Sequence, residues 1–258
     1  MKKPFLRRLS GISRLLFLRV RPHTTAVILA GGSGLRMGDT GGTAKQWLTL
    51  GGKTVLEHAV DAFERCPHID DIVVVVRRGE GQKTADLLAA ANVKKVRTIV
   101  SGGKTRQASA YNGARRAPSG TRYLAIHDAA RCLVSPDDIS ATVLAAYAER
   151  AASLGTPVTD TVKRVNKSRY VLETRDRSEL WLAATPQVFS YPMYMAAATA
   201  AKKAARAVTD DNMLIEALGQ KVRMVEAHSP TFKLTREGDL AIAEAMLSLV
   251  DKDKENER

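Results

Sequence analysis

Residues 26–38 read AVILAGGSGLRMG, a short apolar run followed at once by a turn that contains four glycines. We predict a strand over Ala26–Ala30, because glycine turns that bind phosphate in α/β proteins lie at the carboxyl end of a strand. Glycines allow backbone N–H groups to approach an anion closely. The spacing matches neither the dinucleotide fingerprint nor the P-loop, so neither of those sites is predicted. Judged by its glycines alone, the turn is equally consistent with a plain tight turn.

Outward from this turn, short β-branched runs alternate with longer helical patterns, which predicts an α/β fold with a mostly parallel sheet and helices on both faces. The run Ile72–Val76 is apolar throughout, which is typical of a central strand covered on both faces. Further strands are predicted at Val96–Val100 and Tyr123–His127. The helices of this half are predicted at Val55–Arg65, Lys83–Ala91, Arg106–Arg116 and Asp137–Ala152.

Beyond Gly155 the pattern changes to two short extended segments, Val158–Arg164 and Tyr170–Arg175, around a turn-like Asn-Lys-Ser. These segments predict a projecting β-hairpin arm, for which we assign residues 158–181. An isolated hairpin is marginally stable in water, so we expect it to pack against a second copy of the chain in a homodimer. The remaining predicted elements are two helices, a strand and a closing helix at Tyr191–Ala207, Asp211–Leu218, Val222–Glu226 and Glu237–Leu249.

The chain has 258 residues, a formal charge of +13 and 40 basic residues. Seven basic residues and no acidic ones precede the first predicted strand, and 40 minus seven leaves 33 basic against 27 acidic residues. This moderate excess suits an enzyme that handles phosphates, and the absence of RRM-like or zinc-finger patterns argues against nucleic-acid binding. The two cysteines, Cys66 and Cys132, have no disulfide or zinc spacing, which favours a reducing cytoplasm.

The basic segment 1–24 spaces apolar residues at helical intervals between its arginines. Membrane-surface contact by residues 1–21 is one interpretation. We favour the other, an arm that is poorly ordered or packs on its own domain, because the segment is short and contains Gly11. Neither a cleavable signal nor an apolar run long enough to span a bilayer is predicted.

Two basic residues accompany the glycine turn. Arg36 lies within it, and Lys45 comes shortly after it. Two cations beside a phosphate-binding turn indicate a nucleoside triphosphate. The pattern A-G-G-x-G-x-R-M-G followed by K-Q resembles the sugar-phosphate nucleotidyltransferases, which implies a Rossmann-like fold.

Downstream motifs narrow this resemblance to the 2-C-methyl-D-erythritol 4-phosphate cytidylyltransferase family, over roughly Thr25 to Leu249. The motifs are Ser101-Gly102-Gly103 with Arg106 and Ser109, His127-Asp128-Ala129-Ala130-Arg131, Asp160-Thr161-Val162-Lys163, Asp176-Arg177-Ser178-Glu179-Leu180-Trp181, Thr185-Pro186-Gln187-Val188-Phe189 and Thr209-Asp210-Asp211. The resemblance implies transfer of CMP from CTP to methylerythritol phosphate, with release of pyrophosphate, in non-mevalonate isoprenoid biosynthesis. It also implies one nucleotidyltransferase domain over residues 25–250, with residues 251–258 as a charged tail.

Asp128 follows a predicted strand and is our candidate ligand for Mg²⁺ or another divalent cation on the triphosphate, since Mg²⁺ prefers one or two carboxylates plus phosphate oxygens. His127 is expected to be structural. By resemblance, the catalytic residues are Arg36, Lys45, Arg177 and Lys233. The CTP-binding residues implied are Ala30, Gly31, Gly32, Ser33, Gly34, Gly103, Ser109, Asp128 and Ala129, and those implied for the sugar phosphate are Arg131, Thr161, Thr185 and Thr209.

The sequence departs from the family pattern at three places. Cys132 replaces a proline, Asp211 stands where glutamate is common, and Pro230-Thr231-Phe232 replaces a more polar lead into Lys233. The last change bears on the acceptor, and a ribitol 5-phosphate cytidylyltransferase is the nearest alternative, although its motif reads H-D-S-V-R. A non-enzymatic binding or regulatory protein on the same fold is the more distant alternative.

Overall fold

The computed structural model describes residues 21–32, 44–236 and 238–256. The strands are β1 Thr24–Leu29, β2 Thr49–Leu50, β3 Lys53–Thr54, β4 Asp71–Val76, β5 Val96–Ser101, β6 Tyr123–Asp128, β7 Ala151–Pro157, β8 Lys163–Val165, β9 Val171–Thr174, β10 Trp181–Ser190 and β11 Arg223–Glu226. The helices are α1 Val55–Arg65, α2 Gly81–Ala90, α3 Arg106–Ala114, α4 Pro136–Glu149, α5 Tyr191–Lys203, α6 Asn212–Glu216 and α7 Asp239–Asn256, and single 3₁₀ turns span Lys45–Trp47 and Arg177–Glu179.

Seven strands form one twisted sheet in the order β11-β7-β10-β6-β1-β4-β5. Strands β5, β4, β1 and β6 run parallel, β10 is antiparallel to both of its neighbours, and β11 is parallel to β7. The predicted α/β class with a mostly parallel sheet is therefore confirmed.

Strand β1 lies inside the sheet, between β6 and β4, and contributes to a core on each face. Ala26 and Ile28 pack under α1, α2 and α4, whereas Val27 and Leu29 pack under α3, α5 and α6. Successive strand side chains point to opposite faces, so a continuous apolar run is what a strand covered on both sides requires. The predicted placement of helices on both faces follows from the same pattern.

Local signals explain why several helices begin where they do. Thr54 and Glu57 form a reciprocal capping box that starts α1, which matches its predicted bounds. Thr105 accepts from the Ala108 N–H at the start of α3, and Ser135 does the same for Asp138 at the start of α4.

Three sequence-based assignments are wrong. Helix α4 ends at Glu149, because Arg150 takes a left-handed conformation (φ 71°), and the predicted continuation to Ala152 is instead the start of strand β7. Strand β10 was not predicted. Helix α7 continues to Asn256, seven residues past its predicted end, so the charged tail is largely helical.

The predicted hairpin is present as a separate two-stranded sheet of β8 and β9. Its strands are shorter than predicted, and its side chains face outward. Tyr170 is 72% exposed and Val171 is 60% exposed. Within the described ranges, none of the helices combines the length and apolarity needed to cross a bilayer.

Candidate active site

A cavity of about 540 Å³ opens at the carboxyl ends of the parallel strands β1 and β6. Parallel strands end at one edge of a sheet, so the loops that follow them meet there. The walls come from Ala30, Gly31 and Gly32 after β1, the first 3₁₀ turn, the β5–α3 loop, the loop after β6 and a segment before α7. The lining residues are Leu29, Ala30, Gly31, Gly32, Lys45, Gln46, Val55, Gly103, Lys104, Thr105, Arg106, Ser109, Asp128, Ala129, Ala130 and Lys233.

Asp128 ends β6 and lies between two cations. Its Oδ1 accepts from Arg106 Nε at 2.8 Å, and its Oδ2 accepts from Lys233 Nζ at 2.5 Å. Burial alone would raise the pKa of Asp128, but the two positive charges outweigh that effect and hold the pKa well below its usual range. Asp128 is therefore ionised at neutral pH and available to a metal ion or a cationic group.

Behind this pair, Arg106 also reaches a second carboxylate that has no solvent exposure. Its Nη1 donates to Asp211 Oδ2 at 2.6 Å, and the Tyr194 hydroxyl donates to Asp211 Oδ1 at 3.1 Å. Burial raises the pKa of Asp211 even though Arg106 opposes the shift. One guanidinium thus joins the cavity wall to the buried interior through two carboxylates.

The same strand end is fixed from the other side by Thr185 of β10. The backbone N–H of Asp128 donates to Thr185 Oγ1 at 3.1 Å, and that oxygen lies 3.0 Å from His127 Nδ1. His127 is fully buried, and burial lowers the pKa of its imidazole to about 3. It is neutral at pH 7, is not among the residues that line the cavity, and packs its ring against Phe63 with the two ring centres 4.9 Å apart.

The β5–α3 loop forms a compact wall in which glycine is required. The Gly103 N–H donates to Ser109 Oγ at 3.0 Å, and the Ser109 hydroxyl donates to the Thr105 carbonyl at 2.9 Å. A Cβ on Gly103 would lie 2.5 Å from the Ala108 Cβ and 3.0 Å from its carbonyl carbon. The loop can therefore present backbone groups to a ligand only with glycine at this position.

The opposite wall is joined through Lys45. Its ammonium donates to the Leu234 carbonyl at 2.7 Å, next to Lys233, and the Leu234 N–H donates to the Ala130 carbonyl at 2.9 Å. The backbone of Leu234 thus connects three segments: the 3₁₀ turn with Lys45, the loop after Asp128, and the segment that contains Lys233.

Arg131 lies beside the cavity rather than in its lining. It donates from Nη1 to the Thr231 carbonyl and from Nη2 to the Ala183 carbonyl at 3.4 Å, whereas its buried Nε has no partner among the described residues. Burial lowers the pKa of this guanidinium. Because the Thr231 contact uses a backbone carbonyl, the unusual Pro230–Phe232 side chains leave it intact. The replacement at Cys132 is equally well accommodated, as its side chain is 4% exposed and packs with Leu50, Val55 and Leu234.

Of the residues predicted from the sequence, one group comes together around this cavity: Ala30, Gly31, Gly32, Lys45, Gly103, Ser109, Asp128, Ala129 and Lys233. A second group does not line it: Arg131, Thr161, Arg177, Thr185 and Thr209. Arg177 and Thr161 are exposed on or beside the arm, where Arg177 donates to the Thr159 carbonyl at 2.6 Å. The Thr209 hydroxyl donates to Met213 Sδ at 3.2 Å. Ser33, Gly34 and Arg36 lie outside the described residues.

Sequence reasoning missed Arg106 as a site residue, together with its buried partner Asp211. Arg106 stands in the quoted Gly-Gly motif at the first position of α3. That position after a glycine loop was the available signal, because helix starts beside such loops commonly face anionic ligands. Asp211 stands in the quoted Thr209-Asp210-Asp211 motif, but nothing in that motif indicates its pairing with Arg106, which is 105 residues away in the sequence.

A glycine turn, several cations and an ionised carboxylate at the carboxyl edge of a parallel sheet define an α/β enzyme that acts on a nucleotide. The sequence model of the family described as "IspD: 2-C-methyl-D-erythritol 4-phosphate cytidylyltransferase" matches residues 24–249. The chain therefore belongs to this family of nucleotidyltransferases.

Individual relatives agree with the family model. The 2-C-methyl-D-erythritol 4-phosphate cytidylyltransferase of Desulforamulus reducens is 41% identical over 87% of this chain and 96% of its own. That of Pelotomaculum thermopropionicum is 41% identical over 86% and 93%. The crystal structure of the 4-diphosphocytidyl-2C-methyl-D-erythritol synthase of Anaerococcus prevotii has a TM-score of 0.78 at 29% identity, covering 88% of this chain and 96% of that one.

Proposed function

We propose that this chain transfers the cytidylyl group of CTP to 2-C-methyl-D-erythritol 4-phosphate and releases pyrophosphate, a step of non-mevalonate isoprenoid biosynthesis. The observation that carries the proposal is Asp128, held between Arg106 and Lys233 in the same cavity as Lys45 and the glycine turn. The names of the relatives supply the nucleotide and the acceptor.

In the proposed reaction, a phosphate oxygen of the acceptor forms a bond to the α-phosphorus of CTP, and the bond from that phosphorus to the bridging oxygen breaks. The electron pair leaves with pyrophosphate. A phosphate monoester is largely dianionic at neutral pH, with a second pKa of about 6, so no general base is needed. The barrier comes from bringing two polyanions together, and fixed cations reduce it.

The cations of the site are assigned to this task. Lys45 and Arg36 would stabilise the charge that develops on the triphosphate, and Lys233, with Arg177 of the arm, would orient the acceptor phosphate. The glycine turn from Ala30 to Gly34, together with Gly103, Ser109 and Ala129, would hold CTP. Arg131, Thr161, Thr185 and Thr209 remain our candidates for the sugar phosphate.

A divalent cation, Mg²⁺ by preference, fits the donor set of the cavity. Asp128 is ionised and is the one carboxylate among the described residues that line it. No cluster of three or more His, Cys, Asp or Glu was found in the described part of the chain, so phosphate oxygens would supply most of the ligands, as Mg²⁺ commonly requires. When bound, the ion would neutralise charge on the triphosphate.

We propose that the active form is a homodimer in which the arm of one protomer completes the site of the other. Val165, Tyr170, Val171 and Leu172 are all large apolar arm residues with at least 47% exposure. Arg177 and Thr161 do not line the cavity of their own chain, which is what a contribution to a partner's site requires. Apolar surface of this kind on a small hairpin favours burial in an interface.

The proposal also includes a cytoplasmic location, which the two buried, unpaired cysteines support. It includes one catalytic domain over residues 25–250 with a basic N-terminal extension. Arg21, within the predicted extension, forms a two-bond ion pair with Asp70 at 2.8 and 2.6 Å. The last residues of the extension therefore contact the catalytic domain, through Arg21 and Asp70.

The decisive test is release of pyrophosphate by the purified chain with CTP and Mg²⁺. The acceptors are 2-C-methyl-D-erythritol 4-phosphate, ribitol 5-phosphate and none. Release with the first acceptor alone is expected. Release with ribitol 5-phosphate alone would keep the reaction type and overturn the acceptor, and silence with both in folded protein would overturn the function.

A further inference from the structure

A second cluster of polar contacts lies just outside the cavity, where Glu80 meets the 3₁₀ turn Lys45–Trp47. One carboxylate oxygen of Glu80 accepts from Gln46 Nε2 at 2.8 Å, and the other accepts from Trp47 Nε1 at 3.2 Å. Both oxygens are therefore bonded to the two residues that directly follow Lys45. The Lys83 ammonium lies 4.0 Å from the centre of the Trp47 ring and adds a cation–π contact from the same helix.

Glu80 is itself firmly attached to the scaffold. It is the N-cap of α2, and its carbonyl accepts from the Thr84 N–H at 3.0 Å and the Thr84 hydroxyl at 2.8 Å. Thr84 has no solvent exposure. The carboxylate is thus presented by the N-cap of a helix that starts five residues after the end of β4, at the same edge of the sheet as the cavity.

The turn that carries Lys45 has little support of its own. It is a single 3₁₀ turn whose N-cap, Ala44, provides no side-chain hydrogen bond. A turn of this length is poorly stabilised by its own backbone bonds. Gln46 is nevertheless only 3% exposed and lines the cavity next to Lys45. The hydrogen bond to Glu80 holds its buried side-chain amide in place.

We propose that Glu80 is a positioning residue for the cytidylyl transfer: its carboxylate fixes the 3₁₀ turn and thereby the place from which Lys45 reaches the cavity. Glu80 is not among the residues that line the cavity, so its effect on the reaction would pass through the turn that carries Lys45. This inference rests on the proposed function. Displacing a catalytic group by about 1 Å can reduce a rate by as much as a hundredfold, and the loss of one of several supports for Lys45 should cost about tenfold.

The test compares Glu80→Ala and Glu80→Gln with the control Asp86→Ala. This control removes an exposed carboxylate of the same helix, whose hydrogen bond within the described part of the chain is to Gln82. Glu80→Ala should lower kcat about tenfold with a smaller change in the KM for CTP. Glu80→Gln should keep most of the activity, because an amide can accept from Trp47 and donate to a turned Gln46 amide. Asp86→Ala should match the wild type.

The double variant Lys45→Ala/Glu80→Ala decides whether the effect passes through Lys45. It should be no slower than Lys45→Ala alone, since residues that act as a unit are not additive. A further tenfold loss in the double variant would overturn the proposal, as would wild-type kcat in Glu80→Ala.

Fluorescence provides a readout that does not need activity. The chain has two tryptophans, so Trp181→Phe leaves Trp47 as the only one. In that background, Glu80→Ala should shift the emission of Trp47 to longer wavelength and increase its quenching by acrylamide, whereas Asp86→Ala should change neither. A wild-type chain that releases no pyrophosphate would refute the proposed function, and the anchoring would then be judged by fluorescence, where unchanged Trp47 emission would refute it.

Discussion

Replacing Arg106 by leucine should destabilise the protein far more than the loss of an ordinary surface cation. The Arg106 side chain is 27% exposed and bonds Asp128 at 2.8 Å and Asp211 at 2.6 Å. Without it, Asp128 keeps Lys233 as a partner. Asp211 keeps the Tyr194 hydroxyl on its carboxylate and the Gln187 side chain on its N–H, but its carboxylate then has no cationic partner among the described residues.

The size of the destabilisation follows from the loss of the cationic partner of Asp211, since Asp128 keeps Lys233. Leaving one charge of a buried pair without its partner costs about 3–5 kcal/mol. A chain of this size should have a urea dependence of about 3 kcal/mol/M, so the midpoint of urea unfolding should fall by about 1–2 M. The loss should be measured at pH 8, well above the ordinary pKa of an aspartate.

The loss of stability caused by Arg106→Leu should become smaller as the pH falls. Burial raises the pKa of Asp211 in the wild type, despite Arg106, and removing Arg106 must raise it further. A folded-state pKa above the unfolded value means that the destabilising charge is present above the folded pKa and is removed as the pH falls through it. The difference between Arg106→Leu and wild type should therefore be smaller at pH 5 than at pH 8.

Two controls make the test specific. Arg65→Leu breaks an exposed pair with Asp61 and should cost less than about 1 kcal/mol. Arg106→Leu/Asp211→Asn removes both buried charges and should recover most of the stability, although not the activity. The reasoning is refuted if Arg106→Leu is no less stable than Arg65→Leu, if its deficit does not shrink in acid, or if the double variant is no more stable than the single one.

Three further predictions concern the site. Lys45→Ala and Arg36→Ala should each lower turnover about a hundredfold or more with an unchanged circular dichroism spectrum, and Arg36→Lys should fail as well; wild-type-like turnover would remove the residue from catalysis. Gly103→Ala should cost about 1–3 kcal/mol and weaken CTP binding measured by calorimetry, because the added Cβ would lie 2.5 Å from that of Ala108; unchanged affinity would show that the loop adjusts. Mixing refolded Lys45→Ala and Arg177→Ala chains should restore about a quarter of wild-type activity if arms reach across a dimer, and no recovery would contradict that arrangement.

The sequence was sufficient where local chemistry decides the structure. The apolar strands β1, β4, β5 and β6 were predicted to within a few residues, and α1 was predicted with its observed bounds because a capping box fixes its start. Their parallel arrangement brings their carboxyl ends to one edge. The glycine-rich segment after β1 and Asp128 at the end of β6 could therefore be predicted from their positions after strands, whereas Gly103, Ser109 and Lys233 were implied only by the family resemblance.

The sequence was insufficient for elements and contacts that form through residues far apart in the chain. Strand β7 begins with small residues that continue a helical pattern, and it exists because β10 and β11 pair with it on either side. Strand β10 contains a proline and was interpreted only as a family motif. The position of the Asp211 side chain is likewise set by residues outside its own segment, Tyr194 on α5 and Arg106 on α3, and the second lies 105 residues away.

Asp128 ends β6, the strand that joins the parallel strands β1, β4 and β5 to the antiparallel strand β10. Its carboxylate bonds Arg106 and Lys233, whereas its backbone N–H bonds Thr185 of β10. The parallel strands and the loops after them thus supply most of the cavity lining, and the antiparallel strand β10 fixes the strand end that carries the carboxylate. Since β10 is preceded by the arm, any force on the arm from a partner chain acts on a segment that is continuous with Thr185. Dimerisation and the placement of Asp128 are therefore expected to depend on the same strand.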